Sequence, residues 1–506
     1  MNAKGGERLR AARLAAPLIA TGPQAGRIEA ATQPQPERRI IAGMEKLGAG
    51  LAALVIAAAC TTSAPTGSAS VEIAGTTSSV LLDAAVTVAP ESILSPPPST
   101  AGELSASFRG VTPTTIEVGA VWVDYSLLRE LGFSEVDLGD EDLVWQVFID
   151  EINARGGIHG RQLRLHGARY NIISPVDAEA TCIELTEDTR VFAVLHPFST
   201  VVGSANDCVV NQHDTILVGG GASAEDMRRA AAPWVHWGTA VERWDSTLVR
   251  LAFEQGLFDG QVVAVHSLAA EVDRVPAVVE QLEQRGIEVA LQSQAASEVD
   301  PTAVAAEWAI LAERMRALGV TTVVIPGSAI VAYGQMIDNG LDVQVLTSDS
   351  TLRDFGELDD HVPSDYDGAI GLGGTSTPEA WADPSFMQCV HTFEEATGIE
   401  LAPSPEVPPG EPVWITTVFQ ACVSLELFEQ LAVAAGPELT NDSFREAIGA
   451  GVVSDLPASP FASLSADKYD AGDTVRLVMF DASLPPSGDV VSVTELQNIS
   501  QNHLGP

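Results

Sequence analysis

Hydrophobic residues in this chain alternate between short continuous runs and longer stretches with helical spacing. The run at 116–123, Ile-Glu-Val-Gly-Ala-Val-Trp-Val, is nearly continuous, as in a strand buried on both faces of a parallel sheet. The next apolar residues recur at helical spacing, and they are Leu143, Val144, Val147, Phe148 and Ile152. Gly156 and Gly157 follow and supply the left-handed conformation that ends a helix. The pattern therefore predicts a strand, a helix and a glycine turn in succession.

The same alternation continues along the chain and starts again after residues 237–239. Before that point the pattern predicts strands at 162–165, 191–195 and 215–218 and helices at 177–187 and 201–212. After it, the pattern predicts strands at 262–266, 287–291, 322–325 and 343–346 and helices at 243–254, 275–285, 303–318 and 330–339. A long apolar helix at 414–433 and a strand at 475–480 come later.

This alternation predicts an α/β fold with parallel sheets. The two units are of similar size, and neither carries a phosphate-binding motif. Ligands of open parallel sheets lie beyond the carboxyl ends of the strands. We therefore expect two lobes with a ligand cleft between them.

The chain is strongly acidic, because 68 Asp and Glu residues stand against 27 Lys and Arg, for a formal net charge of −41. After Cys60 the only lysine is Lys468. A surface of this sign repels the phosphates of nucleic acids, so we expect no nucleic-acid partner. It also repels anionic lipid headgroups, so a membrane attachment would depend on a lipid anchor. The 46% hydrophobic content is ample for sizeable cores.

An apolar run at 47–59 lies between Lys46 and Cys60, and small residues precede the cysteine. This order matches a bacterial secretion signal and resembles a lipoprotein signal, whose cysteine is lipidated after cleavage. A transmembrane anchor is the alternative, but the run is too short for a bilayer core of about 30 Å. We expect residues 44–59 to be the signal peptide and Cys60 to hold the protein at the outer face of the cell membrane.

The residues on either side of this signal lack the pattern of a folded domain. Residues 1–43 contain scattered arginines and no sustained apolar period, so we interpret them as an upstream extension and expect translation to begin at Met44. Residues 60–112 are rich in Ser, Thr and Pro and predict a flexible stalk. The folded body is expected to begin at about residue 113.

Four cysteines remain if Cys60 carries the lipid, and an exported protein can keep them as disulfides. Of the three possible pairings, Cys182–Cys208 and Cys389–Cys422 are favoured because each pair is close in sequence and brackets one strand–helix unit. A zinc site of four cysteines is the alternative. It is disfavoured because no Cys-x-x-Cys spacing occurs, so we expect no metal.

Two segments carry a resemblance to a known family. They are residues 150–165, Asp-Glu-Ile-Asn-Ala-Arg-Gly-Gly-Ile-His-Gly-Arg-Gln-Leu-Arg-Leu, and residues 467–478, Asp-Lys-Tyr-Asp-Ala-Gly-Asp-Thr-Val-Arg-Leu-Val. The chain from about Thr115 to Asp481 resembles the type I periplasmic binding proteins. Within them it is similar to the branched-chain amino-acid (leucine-binding-like) receptors of ABC transporters.

The resemblance implies two doubly wound parallel-sheet lobes that are joined by a three-stranded hinge and close on a small ligand. Lobe 1 would comprise 113–238 and about 350–465, and lobe 2 would comprise 239–349 and about 466–506. Such receptors catalyse no reaction and need no cofactor. Their partners are a small polar solute, such as an amino acid or an amide-like molecule, and a membrane permease with its ATPase.

On the first lobe, the resemblance places ligand contacts in two loops. Ser199 and Thr200 follow the third strand, and Ala222 and Ser223 follow the fourth, after Gly219-Gly-Gly. Hydroxyls and exposed backbone N–H groups at these positions would bind the ligand carboxylate. Helix capping is the alternative role for the same Ser and Thr residues.

On the second lobe, the resemblance gives Asp349 the role of holding the ligand's ammonium group, with a turn-forming Asp as the alternative. Trp122 and Tyr125 would form an aromatic wall, although Trp122 is also a candidate for core packing. Residues 267–271, Ser-Leu-Ala-Ala-Glu, depart from relatives that carry an aromatic residue there. The ligand pocket is therefore expected to differ on this side.

Two other classes of function compete with a transport receptor. An enzyme is disfavoured because the nine histidines are dispersed and no His-Glu-x-x-His or Gly-x-Ser-x-Gly motif occurs. A ligand-sensing subunit of the same fold, which reports a solute rather than transporting it, is the closer alternative.

Overall fold

The computed structural model describes residues 104–130, 137–199, 204–295, 300–348, 352, 355, 361–408, 410–485 and 487–500. The upstream extension, the signal peptide, Cys60 and most of the stalk lie outside these residues, as do Thr200 and Asp349.

The strands are β1 (Thr115–Val123), β2 (Gln162–Tyr170), β3 (Ala193–Val194), β4 (Ile216–Val218), β5 (Trp234–Val235), β6 (Val263–Ser267), β7 (Val289–Gln294), β8 (Thr322–Ile325), β9 (Gln344–Thr347), β10 (Ile370–Gly373), β11 (Thr474–Asp481), β12 (Asp489–Ser492) and β13 (Gln497–Asn498).

The α-helices are α1 (Tyr125–Glu130), α2 (Glu141–Ala154), α3 (Pro175–Ile183), α4 (Ser204–Asp207), α5 (Ala224–Arg229), α6 (Val241–Glu254), α7 (Val275–Gln284), α8 (Pro301–Leu318), α9 (Ile330–Asp338), α10 (Thr377–Ala382), α11 (Pro384–Thr397), α12 (Trp414–Ala434) and α13 (Asn441–Gly449). Helices α3 and α4 each continue into a π-helical turn, Glu184–Thr189 and Cys208–Gln212.

The first sheet has the order β2-β1-β3-β4-β5, and all its pairs are parallel. Strand β1 is buried along nearly its whole length, as its continuous apolar run predicts. In α2, Val144, Phe148 and Ile152 are buried as predicted, but Leu143 is exposed and Trp145 is buried instead. The reason is that α2 packs against β2 on one side and against α11 and α12 on the other, which turns a wider face inward.

The second sheet has the order β12-β11-β10-β9-β8-β6-β7, and β13 pairs with β11. Strands β6 to β10 are parallel to one another, whereas β11 runs antiparallel to β10 and to β12. The two sheets with their flanking helices confirm the α/β fold of two lobes.

Strand β10 corrects the predicted boundary between the lobes. Residues 350–465 were expected in lobe 1, but Ile370–Gly373 pairs with β9 and β11 in the second sheet. Tyr366, just before it, also packs in the core of the second sheet, with Phe480. The chain returns to the first lobe only after β10, where α10 to α13 follow. A run as short as Ile-Gly-Leu-Gly carries too little apolar pattern to predict a strand.

The end of the predicted stalk belongs to the folded body. Val111 is buried and forms an antiparallel bridge with Ile116. The guanidinium of Arg161 donates hydrogen bonds to the backbone oxygens of Ser105, Thr112 and Pro437 at 2.7–2.9 Å. Residues 104–112 are therefore attached to the first lobe, at the edge of the sheet where β1 begins.

Helix α12 is the one helix in the described parts of the chain that is long and apolar enough to cross a membrane. More than half of that stretch is buried inside the protein, and Val418, Phe428 and Leu431 lie in the core of the first lobe. Disulfides join Cys389 of α11 to Cys422 of α12, and Cys182 of α3 to Cys208. Both pairings are those that the sequence favours.

Candidate functional site

The carboxyl ends of the first three strands of the first sheet bring together Tyr125, Tyr170 and Ser199. Tyr125 follows β1, Tyr170 ends β2, and Ser199 lies in the loop after β3. The Ser199 N–H donates a hydrogen bond of 2.7 Å to the Tyr170 hydroxyl. In an open α/β sheet this edge is where ligands bind. The structure therefore places Tyr125 and Ser199, both predicted site residues, at the expected edge, and it adds Tyr170.

Glu141 joins this group and was missed by the sequence analysis. It stands in the first turn of α2, where the helix dipole favours a negative charge, but its side chain is almost fully buried. The pKa of Glu141 is raised to about 8, chiefly by burial; the charge of Arg169 opposes this shift and the charge of Asp142 adds to it. The sequence offered only an Asp-Glu-Asp run before a helix, which indicates helix capping. Asp140 does cap α2, by accepting a hydrogen bond from the Leu143 N–H.

Arg169 forms ion pairs with both Asp142 and Glu141, and the pair with Asp142 is the shorter of the two. Its Nη1 lies 2.7 Å from Asp142 Oδ2, whereas its Nη2 lies 3.6 Å from Glu141 Oε2. Burial raises the pKa of Tyr125 and of Tyr170, and the charge of Glu141 adds to the effect on both. The carboxyl of Glu141 thus lies close to both phenols.

Trp122 lies inside the first lobe and not on the open edge. Its side chain is 1% exposed. A Cβ atom at Gly167, on the neighbouring strand, would come within 2.1 Å of the indole, so only glycine leaves room for it. The Arg169 guanidinium covers the ring at 5.2 Å. These contacts support core packing for Trp122 over the aromatic wall.

Ser223 caps a helix in this structure. Its hydroxyl accepts a hydrogen bond from the Asp226 N–H at 3.0 Å and donates one to the Asp226 carboxylate at 2.7 Å. The next N–H, of Ala224, donates to Glu242 of α6 at 3.1 Å. Ala222 is half-buried against the core of the first lobe. In this structure, the Ser223 hydroxyl and the Ala224 N–H therefore have partners within the protein.

The second lobe brings a charged network to the carboxyl ends of β6, β8 and β9. Arg274 donates hydrogen bonds to Asp245 at 2.7 and 2.9 Å, to Glu271 at 3.1 Å and to the Ser348 hydroxyl at 3.0 Å. Ser348 in turn donates to Asp245 at 2.5 Å and accepts from the Gly327 N–H at 2.9 Å. Ser348 immediately precedes Asp349, so this network lies beside the predicted ammonium-binding position.

The unusual segment at 267–271 supplies part of this network. It leads into a 3-10 helix, Ala269–Arg274, which carries both Glu271 and Arg274. A Cβ atom at Gly327 would lie 2.0 Å from the Glu271 carboxylate, so the glycine is required for their close approach. The sequence showed that residues 267–271 lack the aromatic residue of relatives. It did not show that Glu271 and Arg274 would lie at the candidate site in its place.

The segments that connect the lobes run side by side. The first, after β5, and the third, before β11, are joined by hydrogen bonds from Ala471 N–H to His236 O and from Gly472 N–H to Gly238 O, at 2.6 and 2.8 Å. Arg243 at the start of α6 forms ion pairs with Asp470 and Asp473. These hydrogen bonds and ion pairs fix the two segments to each other at the junction between the lobes.

Lys468 belongs to the same buried cluster. Its ammonium lies 3.2 Å from Asp473 and donates to the backbone oxygens of Ser463 and Asp470. Burial lowers the pKa of Lys468, against the opposing charge of Asp470.

Among the described residues, one group of side chains has metal-ligand spacing: Cys182, Cys208 and His213, whose ligand atoms lie within 4.8 Å of one another. The two sulfur atoms form a disulfide, so they are not available as thiolate ligands. His213 instead pairs with Glu187 at 2.7 Å. The donor set does not fit a metal ion.

The two sheets, the polar groups at the carboxyl ends of their strands and the paired connections are those of a two-lobed α/β protein. A family model described as periplasmic binding protein matches residues 144–481, which is more than half of the chain. The chain therefore belongs to the periplasmic binding protein family, which confirms the resemblance seen in the sequence. Membership implies a solute-binding protein that works outside the cytoplasm. None of the curated protein sequences compared with the chain matches it.

Solved structures share the fold at low sequence identity. A substrate-binding protein of an ABC transporter from Desulfitobacterium hafniense, in complex with leucine, is 12% identical with a TM-score of 0.52, covering 74% of this chain and 100% of its own. A solute-binding protein from R. palustris in complex with 4-hydroxybenzoate is 14% identical with a TM-score of 0.54, covering 76% and 97%. A fatty acid ABC transporter substrate-binding protein from Thermomonospora curvata is 14% identical with a TM-score of 0.52, covering 79% and 96%.

Proposed function

We propose that this protein is the receptor of an ABC importer, anchored to the outer face of the cell membrane by a lipid on Cys60. It binds a small polar solute and delivers it to a permease with its ATPase. The observation that carries the proposal is the pair of polar sheet edges, Tyr125–Tyr170–Ser199 on one lobe and Asp245–Arg274–Ser348 on the other. Each lies where ligands of parallel sheets bind.

Lobe closure is the proposed working cycle. A ligand that touches both edges gains its full set of contacts only when the lobes are shut, so it shifts the population toward the closed state. The long apolar helix α12 and its disulfide to α11 stiffen the first lobe, and the joined connecting segments restrict the direction of the motion.

An amino acid or an amide-like molecule is the proposed ligand class. Ser199, Thr200, Ala222 and Ser223 would serve its acceptor end, Asp349 its ammonium group and Tyr125 its side chain. The structures of similar fold include proteins in complex with leucine and with 4-hydroxybenzoate and a fatty acid receptor. The fold therefore accommodates several ligand classes, and the choice depends on the edge residues of this chain.

Native mass spectrometry of the purified full chain, under conditions that keep bound solutes, tests the proposal. We expect a small molecule that is released unchanged and that shrinks the radius of gyration in small-angle X-ray scattering when it is added back. Chemical conversion of the molecule by the protein would contradict the receptor function.

The proposed role of Asp349 in binding the ligand's ammonium group can be tested by comparing two variants. Asp349→Ala should weaken binding of the identified solute, because a carboxylate facing an ammonium group in a closed cleft contributes about 1.5–3 kcal/mol. Asp342→Ala removes the same charge from the other end of β9 and should leave the affinity unchanged. Equal affinities for the Asp349→Ala variant and the unchanged protein would remove Asp349 from the site.

A further inference from the structure

We propose that the ligand of this protein carries a positively charged group and that the Glu141 carboxylate on the first lobe receives it. The inference rests on the proposed receptor function and adds the charge of the ligand and a residue that binds it.

The position of Glu141 is the first step of the argument. Its side chain is 11% exposed and lies beside Tyr125 and Tyr170, at the carboxyl ends of β1 and β2. Ser199, whose N–H binds the Tyr170 hydroxyl, completes this edge. Glu141 is therefore a buried carboxyl at the edge where a ligand would enter.

Its incomplete compensation, by one ion pair at 3.6 Å with an arginine that it shares with Asp142, is the second step. In the described part of the chain, the Glu141 carboxyl accepts no hydrogen bond, and its nearest cation, Arg169, is 3.6 Å away and bound to Asp142 at 2.7 Å. Buried carboxylates ordinarily have a cation or several donors around them. A cationic ligand group would supply what the protein does not.

The charges around the cleft are the third step. The charged groups that act on Glu141 at the first edge are three carboxylates and one cation. The carboxylates belong to Asp124, Asp140 and Asp142, and the cation is Arg169. The second edge holds Asp245 and Glu271 against Arg274, which is bound to both.

Each arginine at these two edges already has a carboxylate partner. An anionic ligand would therefore meet an excess of negative charge, and a cationic ligand would be attracted.

Binding of a cation should be coupled to loss of the proton on the Glu141 carboxyl. Burial raises the pKa of Glu141 to about 8, so the free protein carries this proton at neutral pH. A cation beside the carboxyl favours the ionised form, so binding should release the proton. The neighbouring groups do not change protonation near pH 8, because the pKa values of Tyr125 and Tyr170 are raised and that of Asp124 is lowered. Affinity for a cation should then rise with pH and level off above about 8.

The test compares matched probes by calorimetry on the full chain. The cations are choline, agmatine and arginine, the neutral counterpart of choline is 3,3-dimethylbutanol, and the anions are glutarate and 4-hydroxybenzoate. We expect a cation to bind best, about 20-fold more tightly at about pH 8.5 than at about pH 6.5. At about pH 6.5, where the free protein carries the Glu141 proton, binding should release close to one proton. Buffers of different ionisation enthalpy measure that proton directly.

Two variants distinguish the effect of Glu141 from that of another glutamate on the same helix. At neutral pH, Glu141→Gln replaces one neutral side chain by another of the same shape, so the variant should fold. Its affinity for the cation should no longer depend on pH and should be at least about 10-fold weaker at about pH 8.5. Glu151→Gln, on the same helix and paired with Arg155 at the surface, should change neither.

The outcomes distinguish this inference from the receptor function. A neutral or anionic probe that binds best, or a cation whose binding releases no proton or is unaffected by Glu141→Gln, overturns the inference and leaves the receptor function standing. Binding of none of the three classes counts against both.

Discussion

Arg243 and Asp473 join two segments of chain that connect the lobes. The Nη2 of Arg243, at the start of α6, lies 2.5 Å from Oδ1 of Asp473, just before β11, and the side chains are 2% and 0% exposed. Arg243 also donates to the backbone oxygen of Ile499 at 2.9 Å. One buried guanidinium therefore holds the first and third connections and the C-terminal segment in a fixed arrangement.

Replacing Arg243 by Met should lower the free energy of unfolding by about 3–5 kcal/mol, because Asp470 and Asp473 would be left buried with less compensation. Denaturation with urea, followed by circular dichroism, measures the loss. Arg250→Gln on the same helix removes an exposed pair with Glu254 and should cost less than about 1 kcal/mol. Similar losses for the two variants would show that the Arg243 cluster is not a stabilising element.

Reducing the disulfides should destabilise the body without changing its fold. Loops closed by residues 26 and 33 positions apart correspond to about 3–4 kcal/mol for each bond on the chain-entropy model. Thermal unfolding of Cys182→Ala/Cys208→Ala and of Cys389→Ala/Cys422→Ala gives each contribution separately. Peptide mapping without reduction must show the same pairs, and a free thiol at any of the four positions would contradict them.

Glu141 should make the ligand-free protein less stable as the pH rises. Its pKa is about 8 in the folded protein against an ordinary 4.5, so the folded state favours the protonated form. The stabilisation is present below about pH 4.5 and is lost as the pH rises through about 8. At about pH 9, Glu141→Gln should be more stable than the unchanged protein by about 3–5 kcal/mol, and at about pH 4 the two should be equal. Urea midpoints at both pH values check the sign.

Two buried histidines should make the protein sensitive to acid. Burial lowers the pKa of His236 and of His266 to about 4, so the folded state disfavours their charged forms. Stability is therefore complete above about pH 6.5 and falls as the pH drops toward 4, by up to about 3 kcal/mol for each histidine. His266→Gln should flatten this acid limb, and His391→Gln, exposed on α11, should not. An unchanged slope in His266→Gln would refute the assignment.

Cys60 can be tested independently of the ligand. Cys60→Ser should release the protein from the membrane fraction into the medium and abolish labelling with a radioactive fatty acid, because this acidic chain has no electrostatic attraction to anionic headgroups. Fractionation of the producing cells measures both effects. Cys182→Ala, which leaves Cys60 in place, is the control and should remain in the membrane fraction.

The sequence predicted the elements that carry continuous patterns. The apolar run of β1, the helical spacing in α2 and the turn at Gly156-Gly157 are local features, and the structure has all three. Strand β10 was missed because its four residues, Ile-Gly-Leu-Gly, are defined by pairing with β9 and β11 rather than by their own pattern. The same limit explains why residues 104–112 were taken for stalk, since Arg161 and Val111 attach them only in three dimensions.

In the candidate site too, the sequence placed some residues correctly and missed others. Tyr125 and Ser199 were placed through the strands that they follow, and the structure finds them at one edge. Trp122 follows the same logic but is turned inward, because the side chains of a strand alternate between its faces and Gly167 leaves a space for the indole. Glu141 escaped notice because its position beside Tyr170 and Arg169 of β2 depends on how α2 packs on the sheet, which its local sequence does not show.

The sequence by itself determined the family and the two α/β lobes and favoured the observed pairs of cysteines, because these depend on periodicity, spacing and motifs within short segments. Only the tertiary structure decided which charges lie together at the carboxyl ends of the strands. It pairs Arg169 with Asp142 and leaves Glu141 beside two phenols, and it brings Glu271 and Arg274 next to Ser348. The physical reason is that burial and charge pairing are set by neighbours that are distant along the chain.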